Sequence, residues 1–209
     1  MPGLVKKLNA ISDIHMKARI FCMLHRMKSA WYRWRGLRIG QGCIISGCPE
    51  FRKCKGSEIC LGNQVVLHSK HKYNTLIRLP ISFSTIEPGA RIVLHDHAGL
   101  SGCKIVCANH VEIGEYTIVG PDTVIYDCKE HEYSPEIGWL GRTQRTGKPI
   151  RIGKRCYIGM RCIILKGVTI GDDCVISAGT IITKDVPAGH LAQGNPAVYT
   201  PVPKRLTAS

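Results

Sequence analysis

Of the nine histidines in the chain, His131 has surroundings suited to chemistry. It lies in IYDCKEHEYSP, residues 125–135, between Glu130 and Glu132 and four residues after Asp127. With an unperturbed pKa of about 6.5, an imidazole can take a proton from a hydroxyl near neutral pH. His131 is therefore the candidate general base, and Asp127, Glu130 and Glu132 are the carboxylates available to orient it. The other histidines (His15, His25, His68, His71, His95, His97, His110 and His190) read as surface or turn residues. Cys128 is a rival nucleophile on paper, but no histidine is placed by sequence to activate it. The eleven cysteines are odd in number and contain no C-x-x-C, and the histidines contain no H-x-x-x-x-H pair. That pattern argues against a disulfide framework and against zinc.

The segment around His131 interrupts a strict repeat. From residue 152 the chain reads IGKRCY, IGMRCI, ILKGVT, IGDDCV, ISAGTI, ITKDVP, with Ile152, Ile158, Ile164, Ile170, Ile176 and Ile182 six residues apart. Four places after each comes a small or β-branched residue: Cys156, Cys162, Val168, Cys174, Thr180 and Val186. A period of six is a multiple of two and drifts against 3.6, so it specifies strands and not a helix. One hexad cannot bury its own apolar residue, so the hexads must stack, and a parallel β-helix is the physical solution. The same period runs through IGEYTI and VGPDTV at 113–124, and more loosely through Leu94, Leu100 and Val106, Leu61 and Leu67, and Ile39 and Ile45. The expected organisation is a basic segment over 1–38, a β-helix domain over 39–200 and a tail over 201–209. Breaks are expected near 46–60 and 68–91, with a loop excursion at 126–149 that carries His131.

These hexads, together with the closing ITKDVPAGHLAQGNPA, resemble the hexapeptide-repeat acyltransferase superfamily. Within it they are most similar to the sugar O-acetyltransferase branch of galactoside, maltose and surface-polysaccharide acetyltransferases. The resemblance covers roughly residues 39–200 and is sharpest over 150–197. It implies an all-β fold, a left-handed parallel β-helix of hexapeptide repeats, assembled as a homotrimer. It also implies acetyl transfer from acetyl-CoA to a sugar hydroxyl, on a sugar or lipid-linked glycan such as a cell-surface polysaccharide precursor, with no metal. The family's catalytic I-x-D-x-x-x-H arrangement maps to Ile125, Asp127 and His131, which assigns catalytic roles to His131 and Asp127. Lys129 stands where related enzymes carry a second Asp, so the orienting carboxylate stays open between Asp127, Glu130 and Glu132.

Carrier binding follows from the same mapping. The family's coenzyme A segments correspond to Tyr157–Met160, Ser177–Gly179 and Thr183–Asp185, which points to Gly159, Met160, Ala178, Thr183 and Lys184. Tyr157 replaces the usual Trp, and Val198 and Pro201 stand where Arg is common, with Lys204 and Arg205 as substitutes. Arg142, Arg145 and Lys148 in the excursion would suit an anionic acceptor or keep a loop soluble. Other readings on the same fold are transfer to a small molecule such as an antibiotic or serine, a metal hydratase, or a non-catalytic scaffold.

Net charge is +14, and residues 1–38 contribute nine basic side chains against one acid, Asp13. Met16, Ile20, Met23, Met27, Ala30 or Trp31, and Trp34 recur at helical spacing, with most of the basic residues elsewhere around the wheel. An amphipathic basic helix is expected there, lying on a membrane surface or packed on the β-helix end or a neighbouring subunit. No apolar run reaches the ~18 residues of a membrane span, and IFCML at 20–24 is shorter than the roughly 7-residue core of a signal peptide. The expected location is cytoplasmic, possible contact with the inner membrane face included. No nucleic-acid-binding motif accompanies the charge.

Overall fold

The computed structural model describes residues 20, 23–72, 74–129, 131–141 and 146–202. Three parallel sheets form the faces of a prism. The first face stacks Arg38–Ile39, Glu58–Leu61, Arg91–Leu94, His110–Ile113, Ile150–Ile152 and Thr169–Ile170. The second begins at Ile44–Ser46 and runs through Ile118–Val119, Tyr157–Ile158 and Val175–Ile176 to His190–Gln193, with Val198–Pro201 added antiparallel at its end. The third contains Glu50–Arg52, Ser82–Thr85, Lys104–Cys107, Val124–Tyr126, Ile163–Leu165 and Ile181–Ile182. Arg151 pairs with Thr169, Tyr157 with Val175 and Ile163 with Ile181, each eighteen residues on, so one coil is three hexads.

Both repeat columns point inward. The six isoleucines from Ile152 to Ile182 are buried, and so are Cys156, Cys162, Val168, Cys174, Thr180 and Val186. The small column also ties coils together. Thiols of Cys43, Cys156, Cys162 and Cys174 donate to the carbonyls of Gly62, Gly171, Ser177 and Pro187 in the following coil, at 3.0–3.2 Å. Hydroxyls of Thr117 and Thr123 do the same with Gly153 and Gly159, at 2.7 and 2.8 Å. Cysteine here is a small buried side chain with a weak donor. Burial pushes the Cys103 thiol up to about 12 and also raises that of Cys162, so neither ionises near neutral pH.

The two expected breaks are present as insertions between coil strands: Arg38 pairs with Cys60, twenty-two residues on, and Leu67 with Leu100, thirty-three residues on, against eighteen for a regular coil. The stretch 46–60 contains strands Glu50–Arg52 and Glu58–Leu61, and 68–91 contains Ser82–Thr85. Phe51 and Phe83 take the inward place that the aliphatic pattern reserves, and their rings meet edge to face at 5.5 Å. Aromatic rings fill that place as well as isoleucine does, so the core continues where the aliphatic period is lost.

Helix α1 spans residues 23–34 and closes the first coil. It stops at Gly36, whose φ of 86° lets the amides of Gly36 and Leu37 turn back to the carbonyls of Arg33 and Tyr32. The face it buries is the polar one: His25, Ser29 and Tyr32. His25 Nδ1 lies 3.0 Å from the Ile45 carbonyl, Lys28 Nζ donates to the Gly47 carbonyl at 3.0 Å, and Tyr32 donates its hydroxyl to Pro49. The apolar residues at helical spacing point the other way, apart from Met16, which lies outside the described residues.

Burial lowers the pKa of His25, a shift opposed by the Ile45 carbonyl and helped by Lys28, and burial with His25 nearby lowers that of His68. The folded chain thus binds fewer protons than the unfolded one. Stability from these groups is complete above the unfolded imidazole pKa of about 6.5 and is lost as pH falls below it. Acidification from pH 7.5 to 5.5 should therefore loosen α1 first, seen as faster amide exchange over 23–34 than over 150–182; equal protection loss in both segments would refute this.

Candidate active site

The excursion is a hairpin. Strands His131–Ser134 and Gly138–Gly141 pair antiparallel, with His131 opposite Gly141 and Tyr133 opposite Trp139. Val111 pairs across the insertion with Ile150, thirty-nine residues on, so this coil carries twenty-one residues more than a regular one. Its root is pinched by the Lys148 amide donating to the Asp127 carbonyl at 2.8 Å and by an antiparallel bridge between Cys128 and Gly147. His131 is exposed at the start of the first strand. Beyond it the Tyr133 and Trp139 rings meet edge to face at 5.5 Å.

Asp127, paired with His131 in the sequence reading, has its carboxylate engaged elsewhere. The side chain is fully buried. Oδ1 accepts the Ala108 amide at 2.7 Å, and Oδ2 accepts those of Asn109 and His110 at 2.8 and 3.0 Å and the Cys107 thiol at 3.3 Å. The carboxylate thus fastens the hairpin root to the preceding coil. Cys128 is buried, which removes it as an accessible nucleophile. Glu130, Arg142, Arg145, Lys204 and Arg205 lie outside the described residues.

The carrier candidates fall on two edges of the prism. Gly159, Met160 and Ala178 lie between the second and third faces, in register with Gly120 and Pro121 one coil earlier. A Cβ on Gly159 would sit 2.6 Å from the Ala178 nitrogen, so only glycine lets these coils approach so closely. Thr183 and Lys184 are exposed on the edge between the third and first faces, the edge from which the hairpin leaves. Their neighbour Asp185 is structural, since its Oδ1 accepts the Thr169 amide at 2.7 Å. His131 and the Met160–Ala178 pair therefore leave one prism at different edges.

The edges also differ in how their backbone donors are used. Between the first and second faces, the amides of Gln41, Asn63 and Lys154 are capped by the side chains of Asn63, Asp96 and Asp172, at 2.9, 2.7 and 2.8 Å. Between the second and third faces, Met160 and Ala178 amides have no acceptor among the described residues. Pro121, at the equivalent place, has no amide hydrogen. This edge is thus a short row of open donors, fit to receive the carbonyls of an extended amide-bearing ligand.

Histidines outside the hairpin are not uniform. His95 Nε2 lies 2.7 Å from Glu112 Oε1 and His110 Nε2 lies 3.4 Å from Oε2, and the His95 contact holds the Glu112 carboxyl below its usual range. His97 stacks on Tyr116 with centroids 4.4 Å apart. Both clusters join residues about one coil apart, a signal present in the sequence once the eighteen-residue coil is recognised. On the outward side of the second face, Ile118 and Tyr157 are exposed in one column with Val175 and Leu191.

Comparison with known proteins agrees with this architecture. The family model for the hexapeptide repeat of succinyl-transferase matches residues 149–184. The chain is 42% identical over 110 residues to nodulation protein L of Rhizobium meliloti, an alignment covering 52% of this chain and 58% of that protein. It is 34% identical over 86 residues to the galactoside O-acetyltransferase of Lactococcus lactis, covering 41% of this chain and 40% of the relative. The chain thus spans less than two thirds of the length of either relative. Among solved structures, the N-acyltransferase AntD of Bacillus cereus, in complex with dTDP and 3-hydroxybutyryl-CoA, superposes with a TM-score of 0.65. That match is 15% identical and covers 86% of this chain and 90% of AntD, a likeness of fold.

Proposed function

We propose that this chain is a hexapeptide-repeat acetyltransferase of the sugar O-acetyltransferase branch, transferring acetyl from acetyl-CoA to a sugar hydroxyl. The matched repeat and the likeness to nodulation protein L and the galactoside O-acetyltransferase support this reading. The observation that carries the reading is the row of open amides at Met160 and Ala178, because a pantetheine arm offers amide carbonyls to such donors. Lys184, exposed on the next edge, suits a nucleotide phosphate. His131 removes the proton from the acceptor hydroxyl as the oxygen attacks the thioester carbonyl. The C–O bond forms, the C–S bond breaks, and the thiolate leaves as free coenzyme A after taking the proton back from the His131 imidazolium.

The base and the open amides occupy different edges, so the site is completed by a second copy, whose hairpin meets the first copy's carrier edge. The apolar column of Ile118, Tyr157, Val175 and Leu191 on the second face supports such packing, and a homotrimer closes the ring. The acceptor is a sugar or lipid-linked glycan, such as a polysaccharide precursor, brought within reach by peripheral membrane contact through residues 1–38. The galactoside relative supports a sugar acceptor.

Calorimetry with acetyl-CoA tests the carrier half. Saturable binding is expected for the native chain, with affinity about fivefold weaker for Ala178→Pro, which removes one donor worth ~1 kcal/mol. Pro121 already occupies the equivalent corner, so the variant should fold. No binding by the native chain would leave a scaffold. Thiol release against a panel of sugars, glycans and small hydroxyl or amino acceptors tests the other half, and turnover of an amine alone would overturn O-transfer.

A further inference from the structure

Helix α1 is docked with its apolar face outward. Met23, Leu24, Met27, Trp31 and Trp34 are all exposed, Trp34 to 83% and Met23 to 63%, and Ile20 just ahead of them is exposed as well. At roughly 100° per residue these side chains occupy one arc of about 100°, while His25, Ser29 and Tyr32 occupy the opposite side and pack on the first coil. An apolar stripe of this size on a helix is normally covered.

Charge selects what covers it. No Asp or Glu occurs between residues 14 and 49, whereas Lys17, Arg19, Arg26, Lys28, Arg33, Arg35 and Arg38 do. Arg26 and Arg35 are exposed among the described residues, with the Arg35 guanidinium 4.8 Å from the Trp31 ring centroid. A second copy docking through this face would bring cation against cation. A nucleic acid would satisfy the charge but leave the methionines and tryptophans in water. An anionic bilayer surface satisfies both, with phosphates for the cations and the acyl boundary for the apolar arc. Twelve helical residues are too few to span, and no helix among the described residues is long and apolar enough to cross a membrane.

We propose that α1 is an interfacial anchor that lies in the plane of an anionic membrane, its Met23–Leu24–Met27–Trp31–Trp34 face inserted at the acyl boundary and its prism-facing side held by His25, Ser29 and Tyr32. The orientation follows: the first coil faces the membrane and the later coils, with the hairpin between, point away from it. The inference rests on α1 alone, so it and the transfer reaction can fail separately.

Sedimentation of the full chain with vesicles tests it, using equal parts phosphatidylglycerol and phosphatidylcholine against phosphatidylcholine alone. Binding to the anionic vesicles should be at least about tenfold tighter and weaken with salt. Met27→Ser with Trp34→Ser, both exposed, should cut that binding by about tenfold or more while leaving the melting transition and oligomeric mass unchanged. Native binding that ignores either the lipid charge or the double substitution overturns the proposal. A change of oligomeric mass in the double variant overturns it in favour of an interface between copies.

Discussion

Replacing His131 by Ala is expected to lower acceptor-dependent release of coenzyme A by about 10²–10⁴-fold. Acetyl-CoA affinity and the melting transition should stay as they are. The side chain is exposed on a hairpin outside the prism, so its loss removes no core contact. The proposed carrier donors, the Met160 and Ala178 amides, are backbone groups that a side-chain truncation at His131 leaves in place. Titration with acetyl-CoA, a melting curve and a thiol-release assay on the same preparation separate these quantities. Retention of full transfer by His131→Ala would remove the residue from the reaction. A loss of acetyl-CoA binding would instead make it part of the carrier site.

Asp127→Ala should act on the fold. The carboxylate holds three backbone amides, and truncation would leave the donors of Ala108, Asn109 and His110 buried or poorly paired. Removing a charged, multiply bonded acceptor costs roughly 3 kcal/mol or more, a fall of about 6–12 °C in melting temperature for a domain of this size. Asp127→Asn keeps the shape and one carbonyl oxygen, so its loss should be smaller. Transfer by either variant should decline with the order of the hairpin root, which amide exchange at Asn109 and His110 reports. If Asp127 acts instead by orienting His131, both variants will melt like the native chain and lose turnover alone.

The difference between these two residues marks how far local pattern reaches. Hexad spacing determined both inward columns, from Ile152 to Ile182 and from Cys156 to Val186, because a coil-to-coil stack repeats the same contact at each rung. The loss of period after Ile125 located the hairpin for the same reason. The same loss of period near 68–91 marked a real insertion, since Leu67 pairs with Leu100 thirty-three residues on, but the period was silent on the strands at Phe51 and Phe83 that carry the core through these stretches. It was silent too on Asp127, whose partners lie seventeen to twenty residues back and, apart from the Cys107 thiol, are backbone amides with no sequence signature.

What the sequence determined by itself was the β-helix, the residues that fill it and the point where a histidine-bearing segment leaves it, since each follows from a repeat written in neighbouring residues. Tertiary structure alone decided the rest. The amphipathic pattern of α1 defines an apolar face but not which face docks; the hydrogen bonds of His25, Lys28 and Tyr32 to the carbonyls of Ile45, Gly47 and Pro49 turned the polar side inward. Likewise Met160 and Ala178 became open donors only because the Asx caps of another edge have no counterpart on theirs, a difference between stacked coils that one strand of sequence does not contain.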